Sequence, residues 1–251
     1  MSVTVLAVSA VLVFVFSGLM SMAGIGAAFL FVPLFYYLGV PLAEATPVAL
    51  LLNVVSLFFA AITYWRGGLV NVRIGLPMML AAVVLSPFGA RTTARVDTTL
   101  LLALFAAFLV FAGAMMLFYR AQKRATPLSR RAEVTAGVGV GGIAGFLGGL
   151  LGVGGGNFIL PALNWMGFDA KVAAGTTSFV VVFASLSGFL GHATMGGLDP
   201  TFAATTAVAA ALGSLVGSHL MKTKLSSAQL KKLIGILLWL IAAKMIAALL
   251  A

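Results

Sequence analysis

Apolar residues fill this chain in long continuous runs, and the polar positions between them set its organisation. In the first part the runs cover about 3–20, 27–38, 47–65, 74–90 and 98–119; in the second, about 134–151, 156–167, 173–192, 201–219 and 228–250. None alternates apolar with polar positions as a membrane barrel strand does. Such runs predict transmembrane helices, because hydrocarbon offers no partner to a free backbone N–H or C=O. Spanning takes roughly 20 residues. Segments 27–38 and 156–167 fall short, and each follows a glycine-rich stretch, GIGAA at 24–28 and GVGGG at 152–156. Each therefore either crosses as a short helix with a sunken connection or is re-entrant.

The pattern repeats. Gly24-Ile25-Gly26 aligns with Gly152-Val153-Gly154, and without a gap Pro33 falls on Pro161 and Gly39 on Gly167. Gly67-Gly68-Leu69 then matches Gly196-Gly197-Leu198 after one inserted residue, and Gly89 matches Gly217. One glycine match carries little, but the same order over about a hundred residues predicts two homologous halves, 1–119 and 134–251. Between them, 120–133 is a polar linker holding five Lys or Arg. The expected fold is all-α, a polytopic transmembrane helical bundle with glycine-broken short helices.

Composition narrows the class. The 251 residues are 62% hydrophobic and 8% charged, too apolar for a soluble domain of this size. The net charge of +10 reads as loop charge that sets orientation, and no aromatic-basic groove or motif suggests nucleic acid. With the linker in the cytoplasm and segment 156–167 crossing, twelve Lys or Arg lie inside and two, Arg91 and Arg95, outside, with Lys244, inside the last run, left uncounted. Without that crossing the count is seven on each side, so the positive-inside rule favours crossing. Segment 27–38 takes the same reading by symmetry. The second half is then inverted relative to the first, and basic RGGLVNVR opposes acidic MGGLDP at matching loops. Run 3–20 has no basic n-region and reads as a retained helix rather than a signal peptide.

Inverted repeats with short helices broken by glycine at matching positions are a sequence signature of secondary transporters. Glycine permits a sharp turn, and the helix that follows exposes its first N–H groups at the positive end of its dipole. Such a start suits a small oxyanion without a buried cation. Candidate ligands are therefore Gly24, Gly26, Gly152, Gly154, Gly155, Gly156 and Asn157. Glycines in Gly142–Gly149 instead suit close helix packing. Polar side chains within apolar runs extend the list: Asn53, Thr176, Thr177 and Ser178, with Ser185 and Ser187 on the same run. His192 is a candidate for proton coupling.

Exclusions follow from what is missing. There is no Cys, so no disulfide, thiolate metal site or thiol relay. The acids Glu44, Asp97, Glu133, Asp169 and Asp199 fall in loops or at run ends, so no buried carboxylate relay is evident. No Walker motif, HExxH or hydrolase triad is present. The expectation is a non-enzyme without cofactor or metal. Its partners are a small anion, the lipid bilayer and a coupling ion, H⁺ or Na⁺; the reading leaves room for a homodimer.

The motif GxGGGxxxxP after a glycine-rich apolar run, with its echo one half-length earlier, resembles the TauE/SafE sulfite exporter family. So do ATPVALLLN, AAGTTSF, the paired GGL loops and the basic linker. The resemblance covers nearly the whole chain. It implies a multi-pass cell-membrane transporter, an exporter of sulfite, an organosulfonate or another small sulfur-containing anion. It carries to Gly152, Gly154, Gly155, Gly156, Asn157 and Pro161, and more weakly to Gly24, Gly26 and Pro33. Ala27 and Ala28 replace the glycines of the fuller form, so the two half-sites are expected to be unequal. The alternative is an anion channel, or a permease for another small anion or metabolite.

Overall fold

A computed structural model describes residues 3–23, 26–118, 129–193, 199–220 and 227–250. Among these residues there are ten helices and no strand. They are α1 (Val3–Ala23), α2 (Ala28–Tyr37), α3 (Leu42–Arg66), α4 (Val72–Thr93) and α5 (Thr98–Phe118), then α6 (Arg130–Leu151), α7 (Gly156–Trp165), α8 (Ala170–Ala193), α9 (Pro200–Leu220) and α10 (Ser227–Leu250). Six contain stretches long and apolar enough to span a membrane. α2 and α7 have 10 residues each, about 15 Å of helix, half a typical hydrocarbon core of about 30 Å.

The five acids start helices. Asp97 accepts from the Thr99 N–H at 2.7 Å, Asp169 from Lys171 at 2.9 Å and Asp199 from Thr201 at 2.8 Å. Glu44 and Glu133 lie in the first turns of α3 and α6. A carboxylate there meets unpaired N–H groups and the positive dipole end. The Thr99 hydroxyl and N–H together hold the Asp97 carboxyl below its usual range. Asp97, Asp169 and Asp199 are thus committed to helix termini, whereas Glu133, 6% exposed, is a buried carboxylate whose Oε2 has no hydrogen-bond partner, contrary to the expectation from its place at a run end.

Helix neighbours exchange between the halves. α1 packs on α9 as α6 packs on α4; α3 meets α9 as α8 meets α4; α2 lies on α3 as α7 lies on α8. α3 also pairs with α8, and α5 with α10. Both of these pairs are antiparallel. On α3 and α8, Asn53 meets Ser185 and Trp65 stacks near Phe179. On α5 and α10, the Trp239 indole donates to the Val110 carbonyl, and Gly235 abuts Leu117.

α4 and α6 run parallel along a glycine seam. Gly137, Gly141, Gly145 and Gly149 lie in turn against the backbones of Ile74, Met78, Ala82 and Ser86. Four-residue spacing keeps one face of α6 free of side chains, so the two backbones approach closely. The packing role expected for the glycines of 142–149 is seen directly at Gly145 and Gly149.

These contacts also give direction. The Arg73 guanidinium lies 3.8 Å from the Glu133 carboxylate, and the Asn71 N–H donates to Thr176 Oγ1 at 2.9 Å. The starts of α4, α6 and α8 therefore share one end of the bundle. α6 ends at the other, where Thr93 Oγ1 donates to the Leu150 carbonyl. Residues 152–169 therefore return from that end of the bundle to the first, as a sunken turn followed by α7. Arg66, Arg73, Arg130, Arg131 and Lys171 gather at the first end, the basic end; Arg91 and Arg95 lie at the opposite one. The Lys244 amine sits 4.1 Å from the Tyr37 ring centroid, placing it toward that opposite end too.

Candidate functional site

Glycine conformation builds the second turn. Gly152, Gly154 and Gly155 all have positive φ, at 69°, 71° and 79°, where a β-carbon is disfavoured. The Val153 and Gly154 N–H groups fold back onto the Gly148 carbonyl at 2.9 and 3.3 Å. The chain thus ends α6, dips back beside it and opens α7 at Gly156. Gly155 lies against the Ala144 carbonyl, two turns inside the end of α6.

The start of α7 is under-satisfied. Its first capping bonds are Phe158 and Ile159 N–H to the Gly155 carbonyl, at 3.0 and 3.2 Å. The N–H groups of Gly155, Gly156 and Asn157 have no partner among the described residues. Asn157 is 2% exposed, and neither its Oδ1 nor its Nδ2 has a partner. Buried unsatisfied polar groups cost about 1–3 kcal/mol each. They collect where the helix dipole favours an anion.

At the first turn one donor has a side-chain partner. Gly26 has φ of 78°, and α2 opens at Ala28. The Ala28 N–H donates to Asn53 Oδ1 at 3.4 Å, and Asn53 Nδ2 donates to Ser185 Oγ at 3.0 Å. A β-carbon on Gly26 would strike the Asn53 amide; one on Gly154 would strike Asn53 and Ser185. Asn53 is thus the point where both glycine turns meet. It lies near the middle of α3, which runs from Leu42 to Arg66.

The other sequence candidates lie elsewhere. Gly152 packs on Thr46 at the start of α3. Thr176 binds the Asn71 N–H, and Ser178 bonds back to the Ala174 carbonyl. Thr177 Oγ1 is buried without a partner. Thr176, Thr177 and Ser178 sit seven to nine residues before Ser185, about 10–13 Å along α8. Ser187 donates to the Val83 carbonyl at 2.7 Å and so ties α8 to α4. His192 Nε2 lies 2.9 Å from the Gly149 carbonyl, beyond the turns on the far side. Gly24 lies outside the described residues. Asn164, buried with an unpartnered Oδ1, was missed. Its spacing of seven from Asn157 on a short helix was the available signal.

Two short helices starting at facing glycine turns, in an apolar ten-helix bundle, narrow the candidate families. The profile described as Sulfite exporter TauE/SafE matches residues 9–245. The chain belongs to the TauE/SafE family. Its six long apolar helices fit a multi-pass membrane protein. The Probable membrane transporter protein YdhB of Bacillus subtilis (strain 168) is 28% identical over 77% of this chain and 80% of its own length. YunE of the same organism, also named Probable membrane transporter protein, is 30% identical over 39% of this chain and 37% of its own. The Sulfite exporter TauE/SafE family protein 1 of Arabidopsis thaliana is 39% identical over 32% of this chain and 18% of its own. The matched stretch thus spans little over a third of YunE and under a fifth of the plant protein, but most of YdhB.

Proposed function

We propose that this TauE/SafE protein is a secondary transporter, an exporter of a small sulfur-containing anion such as sulfite or an organosulfonate. The anion binds where the two glycine turns meet, on the N–H groups of Gly155, Gly156 and Asn157 and on the Asn157 amide. The observation that carries this reading is the unpartnered polar start of α7 beside Asn53 and Ser185. Neutral donors suit a carrier, because a fixed buried cation would be costly to empty. The sulfur chemistry rests on the family's description and on the plant relative's name.

In this reading the halves 1–119 and 134–251 are inverted repeats, which the antiparallel pairs α3–α8 and α5–α10 support. The basic end, with linker 120–133, is cytoplasmic by the positive-inside rule, and the membrane is the cell membrane. Alternating access rocks one half on the other about the Asn53–Ser185 contact, driven by H⁺ or Na⁺. The chain is no enzyme and needs no cofactor. Flux of radiolabelled sulfite into proteoliposomes tests it. Asn157→Ala should cut flux at least tenfold with the protein still folded, and trans-sulfite should accelerate exchange, as a carrier requires. Wild-type flux in Asn157→Ala, or no trans-stimulation, would sink the reading.

A further inference from the structure

Asn157 is not the only orphan on α7. Asn164 is 5% exposed, and its Oδ1 has no partner. Seven residues are two helical turns, so the two amides share one stripe. A different stripe of α7 faces outward: Phe158 packs on Phe108 and Phe111 of α5, and Trp165 is 81% exposed. The amide stripe is buried where α7 packs among α6 and α8.

α8 contributes a third orphan. Thr177 is fully buried with Oγ1 unpartnered. It lies four residues before Val181, whose Cγ1 would be 3.3 Å from a β-carbon on Gly154, and eight before Ser185, at the same contact. Positions 177, 181 and 185 lie on one side of α8, the side turned to the glycine turns. From Asn157 and Ser185, then, polar groups continue along both α7 and α8 toward the end holding Lys171 and Arg73. Each unsatisfied group in a dry interior is a standing cost, and three along one helix pair mark a hydrophilic line.

The first half has no equivalent. In the register that sets Gly24 on Gly152 and Pro33 on Pro161, Phe29 stands at the place of Asn157 and Tyr36 at that of Asn164. Phe29, Phe31, Phe35 and Phe202 are all fully buried, and Phe35 sits between Phe31 and Phe202 at centroid distances of 5.8 and 5.0 Å. The route beside α2, toward the opposite end, is closed by aromatic rings.

We propose that the stripe of Asn157 and Asn164 on α7, with Thr177 of α8, is the passage by which a small hydrated anion moves between the glycine turns and the basic end. This rests on the proposed anion site for its traffic. Neutral amide and hydroxyl groups fit the role, because they solvate an anion without holding it. The Phe31–Phe35–Phe202 stack seals the other side in the same conformation.

The chain has no native cysteine, so single cysteines report accessibility without background. The variants are Asn164→Cys, Thr177→Cys, and Leu163→Cys and Phe35→Cys as buried apolar controls. Each is reconstituted in vesicles sorted by orientation and treated with a membrane-impermeant, sulfonate-bearing methanethiosulfonate, with no substrate present. Cysteines at 164 and 177 should react from the basic end at least tenfold faster than those at 163 and 35. Equal rates at all four positions, or reaction only from the opposite end, would overturn the passage. Should Asn164→Cys fail to fold, Thr177→Cys, a near-isosteric change, carries the test alone. Failure of the anion site reads out separately, as wild-type sulfite flux in Asn157→Ala with labelling at 164 and 177 intact.

Discussion

Asn53 of α3 donates from Nδ2 to Ser185 Oγ of α8 at 3.0 Å, across 132 residues of sequence. The other end of the same amide accepts from the Ala28 N–H. One neutral side chain therefore caps the first short helix and ties it to the second half. The start of α7 has no such cap. The halves share a turn-then-helix plan but differ in what satisfies it. Under the proposed function, an anion approaching the Ala28 N–H must displace an amide oxygen, whereas at α7 it meets unpartnered donors. The two helix starts thus differ in partner as well as in sequence, with Ala27 and Ala28 where the second has Gly155 and Gly156.

Asn53→Ala removes both bonds at once. It leaves the Ala28 N–H and Ser185 Oγ buried without partners, in a place where water is scarce. The expected loss is about 1–3 kcal/mol, read as a lower melting midpoint in detergent. Ser185→Ala should cost less, because Asn53 keeps its bond to Ala28. A double-mutant cycle should give a coupling of about 0.5–1.5 kcal/mol between the two. Additive losses would show that the hydrogen bond contributes nothing.

Gly154 carries two constraints that other glycines separate. Gly39 and Gly68 have φ of 86° and 66°, and a β-carbon on either meets nothing within 4 Å. Alanine there should cost only the left-handed backbone penalty, about 1–2 kcal/mol. At Gly154 the added carbon also strikes Asn53 and Ser185. Gly154→Ala should therefore be the most destabilising of the three, and the only one to abolish sulfite flux in proteoliposomes. Equal melting midpoints for all three would mean that the turn relaxes around the methyl group.

Much of this arrangement was legible in the chain. Helix number and the short second elements followed from apolar run length. GVGGG announced its turn because only glycine accepts the φ values found there. Asn53 stood out as an amide inside an apolar run. Its partners did not, because residues 28 and 185 are distant in sequence and meet only through the pairing of α3 with α8. Thr176 illustrates the converse: its position at a helix start suggested a ligand, while tertiary contact sets it against the Asn71 N–H at the basic end. Asn164 escaped because a lone amide near a helix end usually reads as a cap.

His192 can be separated from proton coupling. Its Nε2 faces the Gly149 carbonyl at 2.9 Å, which a neutral donor serves as well as an imidazole. If the ring acts only through that bond, His192→Gln keeps both flux and its dependence on pH, while His192→Ala lowers the melting midpoint by an amount reflecting about 1 kcal/mol. A flattened pH profile in His192→Gln, with flux at low pH preserved, would instead make the imidazole the titrating group.

The seam between α4 and α6 gives the sharpest packing test, because one helix offers its own control. Gly139 and Gly141 lie two residues apart on α6, on opposite faces. A β-carbon on Gly139 meets nothing within 4 Å, whereas one on Gly141 runs into the Met78 backbone. Alanine is the better helix former by about 0.5–1 kcal/mol, so Gly139→Ala should raise the melting midpoint or leave it unchanged. Gly141→Ala has the same propensity gain, but it must push two parallel backbones apart. Overpacking of this kind costs about 1–3 kcal/mol, and neighbouring contacts at Gly145 and Gly149 leave the seam little freedom to slide. The net effect should be a lower midpoint, larger still for Gly141→Val. α6 also sets the position of the glycine turn, since Gly155 rests on the Ala144 carbonyl. Gly141→Ala should therefore slow sulfite flux even at temperatures where the protein remains folded, and Gly139→Ala should not. Matching behaviour of the two variants in melting and flux would show that the α4–α6 approach is looser than its glycine spacing implies.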